Sequence, residues 1–349
     1  VIAAGRPAAE EPGRDRPHTD SHPTEQSPPD HSSTDHRHTE RLTLPVRLKY
    51  AASYRAYAVG WKVLRLLPAP AAYGLLRLGA DLVWRRRLKG VRRLERNLAR
   101  VRPDATPEEL RRLSRAGMRS YFRYWCEAFR LPDLGPDDIK GAVVTHGEDA
   151  FWAAIRSGKG VVAPLPHMGN WDFAGAWAAA NGAPVTTVAE RVRPERLYDR
   201  FVAYRAALGM QVLAATGGPD PMRVLADRLR EGGLVCLVAD RDLSARGVEV
   251  DFFGERTRMP AGPAALALRT GATLLPVTLW YDGPTMHVRF HPAVAKPPGS
   301  RQAIRDLTQQ VADAFAAGIA EHPQDWHMLQ RLWISDLEPA RRADLDRRR

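Results

Sequence analysis

From Gly141 onward, short apolar runs alternate with amphipathic stretches, and this alternation limits the possible folds more than any other feature of the chain. "GVVAPLP", "PVTTVAE", "MQVLAA", "GLVCLVAD", "VEVDFF", "TLLPVTLWY" and "MHVRFHP" read as strands. Helical patterns lie between several of them, over residues 171–181, 194–208, 219–231, 260–270 and 301–321. Strands of this length alternating with helices predict an α/β fold with a central, mostly parallel sheet flanked by helices. Ligands of such sheets collect beyond the carboxyl ends of the strands. His167, Glu190 and Asp240 each follow such an end. There is no internal repeat and no glycine-rich phosphate loop of either common type.

The chain before Gly141 is organised differently. Residues 1–43 are rich in Pro, Ser, Thr, Asp and His, include five of the eleven histidines, and nearly lack large apolar side chains. Such a segment buries too little surface to offset its ordering entropy, which predicts a disordered tail. Residues 44–135 read as helices, with Tyr54, Tyr57, Trp61, Leu64 and Leu67 at three- and four-residue spacings before Pro68 and Pro70 break the pattern. A basic block follows, formed by Arg85, Arg86, Arg87, Lys89, Arg92, Arg93 and Arg96. Aromatic and aliphatic residues beside Arg and Lys suit a helix lying in a membrane interface, and the same pattern suits a solvated basic face over a packed helix. Further on, Thr106, Pro107, Glu108 and Glu109 form a helix start, and Pro132 ends that helix. The α/β core is expected over 136–338, followed by a basic tail, 339–349.

Charge limits the partners. The net charge is +12, but residues 1–40 hold four Arg and eight Asp or Glu, a net of −4, so the remainder carries +16. A basic body suits an anionic membrane surface, a phosphorylated ligand or nucleic acid, and no nucleic-acid recognition motif supports the last. Leu66–Leu76, the most apolar part of the N-terminal region, is bounded by Arg65 and Arg77 and broken by two prolines, far from the ~20 apolar residues of a span. No signal peptide is expected at the start of the chain. Cys126 and Cys236 sit in apolar surroundings, so buried free thiols are expected rather than a disulfide.

The chemistry centres on "PLPHMGNWDFAGAW", in which Asp172 follows His167 by five residues. On one continuous helix the two would point about 140° apart, so they pair only if the chain bends between them. Gly169 and Asn170 supply a bend and a helix cap. Two readings stand at this point. Asp172 orients the imidazole so that its other nitrogen removes a proton from a hydroxyl, or Asn170 caps, Asp172 complements the helix dipole and His167 is a satisfied edge residue. No second His or Cys stands at a zinc spacing and no G-x-S-x-G elbow is present. Glu190 follows a predicted strand, with Arg205 on the next helix, and Asp240 and Arg241 follow "GLVCLV", with Glu249 further on; taken singly, each reads more readily as a surface or ion-pair group.

The order "HMGNWD", "AERVRPERLYDRFVAYRAALGM", "ADRDLSARGVEVDFFGERTRMPAGPAALALRTGA" and "HPQDWHMLQRLW" resembles the bacterial lipid A lauroyl/myristoyl acyltransferase family, over about residues 45–338. "DRDL…GVEVDFFG" and "DWHMLQ" are most similar to its actinobacterial phosphatidylinositol mannoside branch. The resemblance implies a glycerolipid-acyltransferase-like fold and transfer of a long-chain acyl group, typically palmitoyl, from acyl-CoA as co-substrate to a mannose hydroxyl of a phosphatidylinositol mannoside. Other glycolipid or lysophospholipid acceptors remain open. It implies no cofactor, no metal and no covalent acyl-enzyme, and a peripheral position on the cytoplasmic face of the plasma membrane; it implies nothing about oligomers. His167 is then the general base and Asp172 its partner. Arg205 matches the family's positive residue near the site, Glu190 and Glu249 match acidic positions near the acceptor sugar, and Asp240 and Arg241 are further candidates.

Overall fold

A computed structural model of the chain describes residues 44–191, 194–218, 220–242, 247–295 and 297–337; the tails predicted for 1–43 and 339–349 lie outside them. Four helices come first: α1 (Leu44–Leu66), α2 (Ala69–Arg85), α3 (Lys89–Val101) and α4 (Pro107–Arg130). Pro68 and Pro70 separate α1 from α2 as their missing N–H groups dictate. The start of α4 is a capping box, in which the Thr106 hydroxyl accepts from the Glu109 N–H while the Glu109 carboxylate accepts from the Thr106 N–H. Helix α4 is the spine of this region and packs against α1, α2 and α3. It belongs to the same compact unit as the sheets that follow.

The remaining helices are α5 (Pro136–Gly141), α6 (Glu148–Arg156), α7 (Trp171–Ala180), α8 (Glu195–Ala207), α9 (Pro221–Arg230), α10 (Gly262–Thr270) and α11 (Ala303–Glu321). The strands are β1 (Val143–His146), β2 (Val161–Leu165), β3 (Val185–Ala189), β4 (Gln211–Ala214), β5 (Leu234–Val238), β6 (Val248–Phe252), β7 (Glu255–Met259), β8 (Thr273–Leu274), β9 (Val277–Asp282) and β10 (Thr285–Phe290). Strands β4, β3, β5, β2 and β8 form, in that order, an all-parallel sheet. Its interior strand β2, paired on both edges, is buried along its whole length, as a strand covered on both faces must be. A second sheet has the order β1, β10, β9, and β6 and β7 form a hairpin. The run "TLLPVTLWY" is therefore two strands in two sheets, because Pro276 lacks the N–H that would continue the ladder.

Side chains alternate across the parallel sheet. Ala163 and Leu165 of β2, Val185 of β3 and Leu234 of β5 pack with Phe151 of α6 and with Phe173 and Trp177 of α7. Val162 and Val235 point the other way, toward Leu225 and Leu229 of α9 and Leu266 of α10. The face under α6 and α7 contains the site.

Candidate active site

Register accounts for the central geometry. Strands β2 and β5 are parallel neighbours with Leu165 opposite Val238. His167 and Asp240 each lie two residues beyond that pair and meet side by side. The Asp240 carboxylate, fully buried, lies 2.5 Å from Nδ1 of His167 and accepts the His167 backbone N–H at 2.9 Å. It also accepts the Trp326 indole N–H at 3.0 Å. Burial alone would raise the Asp240 carboxyl, but the imidazole and these two N–H donors hold it below the ordinary carboxylate value. With Nδ1 committed to Asp240, Nε2 is the ring nitrogen left for chemistry. The His167 side chain is about a third exposed, and its ring meets Trp171 edge-on.

The bend predicted between His167 and Asp172 is present. Gly169 has φ +56°, and a Cβ there would come within 2.7 Å of the Leu279 side chain, so both conformation and space call for glycine. Asn170 caps α7 by accepting the Phe173 N–H at 3.0 Å. Its amide donates to Glu127 of α4, whose carboxylate also accepts from Tyr281 and Arg123.

The carboxylate expected from the spacing is not the one that meets the imidazole. Asp172 stands in the first turn of α7, 2% exposed, and both of its oxygens are engaged elsewhere. Arg205 of α8 donates Nε to Oδ1 at 2.6 Å and a terminal nitrogen to Oδ2 at 3.2 Å, and the Tyr124 hydroxyl donates to Oδ2 at 3.0 Å. Asp172 therefore ties α7 to α4 and α8, and Asp240 takes the position next to the imidazole. The remaining candidates divide. Glu190 and Arg205 line the same cavity as His167, as does Arg241, whose terminal nitrogen donates to Gln330. Glu249 sits on β6, 3.6 Å from Arg256, outside that cavity's lining.

The cavity has a volume of about 690 Å³, within the ~300–1,000 Å³ of small-molecule sites. It lies between the sheet face and α7, and its walls are mostly apolar, among them Leu165, Trp177, Val185, Leu234 and Phe290. The lining runs from the first residues of β3 and β5 to His167. Val161 is in register with Leu234, so this path spans six residues, about 20 Å at ~3.3 Å per residue. Cys236 also lines the cavity, and burial pushes its thiol up to about 12, so it stays protonated.

A third layer was not read from the sequence. The segment after α11 runs beneath the turn that carries His167, where the Asp325 carbonyl accepts the Gly169 N–H and the His167 carbonyl accepts the His327 N–H. Ser120 of α4 hydrogen-bonds Asp325 at 2.6 Å and Nε2 of His327 at 2.9 Å. Burial raises the Asp325 carboxyl to about 6; burial and nearby His167 lower His327 to about 3. The signal for this layer lay in "DWHMLQRLW", where three potential side-chain partners follow one another.

The family model described as bacterial lipid A biosynthesis acyltransferase matches residues 41–335. A phosphatidylinositol mannoside acyltransferase of Mycolicibacterium smegmatis is 49% identical over 293 residues, covering 83% of this chain and 94% of its own length. A protein of the same name from Mycobacterium tuberculosis is 47% identical over 296 residues, covering 83% of this chain and 91% of its own length.

Proposed function

The chain belongs to the bacterial lipid A biosynthesis acyltransferase family, and on that premise we propose that it moves a palmitoyl-class acyl group from acyl-CoA to a mannose hydroxyl of a phosphatidylinositol mannoside. The observation that carries this reading is the His167–Asp240 pair at one end of a long apolar cavity. An extended alkyl chain with C–C bonds of ~1.5 Å advances about 1.25 Å per carbon. A path of about 20 Å then takes about 16 carbons. The acceptor follows the two mycobacterial relatives, both named for phosphatidylinositol mannoside.

The chemistry follows from the pair. Asp240 holds the proton on Nδ1, so the Nε2 lone pair removes the proton from the sugar hydroxyl as its oxygen attacks the thioester carbonyl. The C–S bond then breaks, the new ester forms, and the imidazolium returns the proton to the departing thiolate. Asp240 stabilises the imidazolium between these steps. Arg205 acts through Asp172 by fixing the start of α7. Glu190, exposed at the cavity rim, is a natural acceptor for sugar hydroxyls. Arg241, whose buried Nε has no partner among the described residues, suits a phosphate.

The helical region suits a membrane surface. Val59, Val63 and Leu66 on α1 and Leu75, Leu78 and Leu82 on α2 are exposed at helical spacings, and the basic block begins at the end of α2. No helix among the described residues is long and apolar enough to cross a membrane. An apolar stripe ending in arginines supports a peripheral enzyme on the cytoplasmic face of the plasma membrane.

The test is incubation with palmitoyl-CoA and mono- or dimannosylated phosphatidylinositol, or a lysophospholipid as competing acceptor, with products read by mass spectrometry. Acylated mannoside is expected with the native chain and none with His167→Ala, which should stay folded and vesicle-bound. Full transfer by His167→Ala, or transfer to the lysophospholipid alone, refutes the proposal.

A further inference from the structure

We propose that Trp326 is a positioning residue for the His167–Asp240 pair, its indole N–H fixing the orientation and basicity of the carboxylate that holds the base. The inference rests on the catalytic reading of His167 given above. The indole is fully buried, and its Nε1 lies 3.0 Å from Oδ2 of Asp240, the oxygen that also accepts the His167 backbone N–H. The other oxygen, Oδ1, faces Nδ1 of His167. Two donors on one oxygen therefore turn the carboxylate so that the other is presented to the imidazole.

The indole is itself held on several sides. Its ring lies 6.0 Å from Phe252, 6.3 Å from Phe253 and 6.2 Å from Trp333. The β6–β7 hairpin brings the two phenylalanines there through a two-residue turn in which Phe253 and Gly254 both have positive φ. A non-glycine residue in that region is uncommon and costs energy, so packing on Trp326 offsets local strain. The backbone of residue 326 bridges to Met168, next to the base. Its neighbours Asp325 and His327 hold Gly169 and His167 through main-chain hydrogen bonds. Three consecutive residues thus fix the turn at three points, and only Trp326 does so through its side chain on the catalytic carboxylate.

A donor to an ionised carboxylate stabilises its charge and makes it a weaker partner for an imidazolium. Removing the indole N–H should therefore raise the pH at which His167 protonates while also loosening the pair. The groups facing His167 are Asp240 beyond β5 and His327 of the C-terminal segment. The same cavity holds the Asp172–Arg205 pair, Arg241, Asp242 and Glu190. Of these groups, Asp240 is the one that the Trp326 indole N–H contacts.

The test uses the full chain with Trp326→Phe, and a second variant carrying 3-benzothienylalanine at position 326, which replaces the N–H by sulfur at nearly constant shape. Expected in both are a fall in kcat of about 10- to 100-fold, by analogy with outer-shell partners of metal-ligating histidines, an unchanged KM, and an acid limb of the pH–rate profile moved to higher pH. The His167 titration, followed by NMR of ¹³C-labelled histidine and assigned with His167→Gln, should move the same way. Because it needs no turnover, this arm judges the positioning role even if acyl transfer to the mannoside fails. Wild-type kcat and an unmoved His167 titration in the benzothienyl variant would show that the ring acts by packing alone and would overturn the inference.

Discussion

Asp240→Asn separates the observed geometry from the pairing that sequence spacing suggests. The substitution keeps volume and removes charge. Three N–H groups converge on the carboxylate, from His167 Nδ1 at 2.5 Å, the His167 backbone at 2.9 Å and Trp326 at 3.0 Å. An asparagine offers one accepting oxygen and one donating NH₂, so it cannot satisfy all three. If the NH₂ faces the imidazole, Nδ1 must accept, the proton moves to Nε2 and the base is lost. If it faces the other way, donors oppose donors in a buried site, at about 1–3 kcal/mol for each unsatisfied group. The first arrangement relieves more conflict. In the Ser-His-Asp triad the same wrong tautomer lowers kcat about 10⁴-fold, and at ~1.36 kcal/mol per decade this is about 5 kcal/mol of barrier. Asp172→Asn should behave differently. It leaves the part-buried Arg205 without its carboxylate, a broken pair that costs up to about 3–5 kcal/mol of stability, yet kcat per folded molecule should stay within about 10-fold. The assay is palmitoyl transfer at saturating substrate, with thermal unfolding of each variant measured in parallel. An Asp240→Asn enzyme within 10-fold of wild type, or an Asp172→Asn enzyme that is inactive at unchanged Tm, refutes this assignment of the two carboxylates.

Phe151 stacks on Phe290 at 4.4 Å and packs near Trp177, at the cavity end away from His167. Phe151→Ala should shift preference toward chains two carbons longer by about 10-fold, from ~0.8 kcal/mol per buried methylene; unchanged competition between palmitoyl-CoA and stearoyl-CoA would exclude that end as the limit. Replacing Leu75, Leu78 and Leu82 together by Ser should weaken binding to anionic vesicles at least 10-fold, roughly half of what three exposed leucines can contribute, with turnover on detergent-solubilised acceptor retained. Undiminished co-sedimentation would make this a solvated face. Acid stability offers an independent check. His327 is lowered to about 3, so the unfolded chain binds a proton that the folded chain refuses between pH 6.5 and about 3. The stability it lends is present above 6.5 and lost as pH falls. Asp325, raised to about 6, acts in the opposite sense, its contribution being present at low pH and lost as pH rises through 6. Relative to wild type, His327→Gln should therefore gain stability as pH falls below 6.5, by at most ~1.4 kcal/mol per unit. A pH-independent difference in Tm or denaturant midpoint would show that His327 titrates normally.

What the sequence disclosed and what it hid divide along contact range. The strand ending before His167, the bend at Gly169, the Asn170 cap and the Thr106 start of α4 depend on residues within a few positions of one another, and all are found. Strand β7, "ERTRM", carries no apolar run that would mark it in the sequence; it is a strand because Thr257 and Met259 face inward beneath the segment carrying Trp333. The partner of His167 depends on something the local sequence does not encode. It follows from the strand order β3-β5-β2 and the alignment of Leu165 with Val238, which brings together residues 73 positions apart. Asp240 was visible as a carboxylate beyond a strand end, and so was Asp172 within a short motif; spacing favoured the nearer one. The bend that makes the motif work is also what turns Asp172 away, because a helix beginning at Trp171 directs its first-turn carboxylate toward Tyr124 and Arg205. The five-residue spacing therefore records two separate requirements: a histidine just beyond β2 that meets Asp240, and an anchor that holds the start of α7 where that imidazole and the cavity meet.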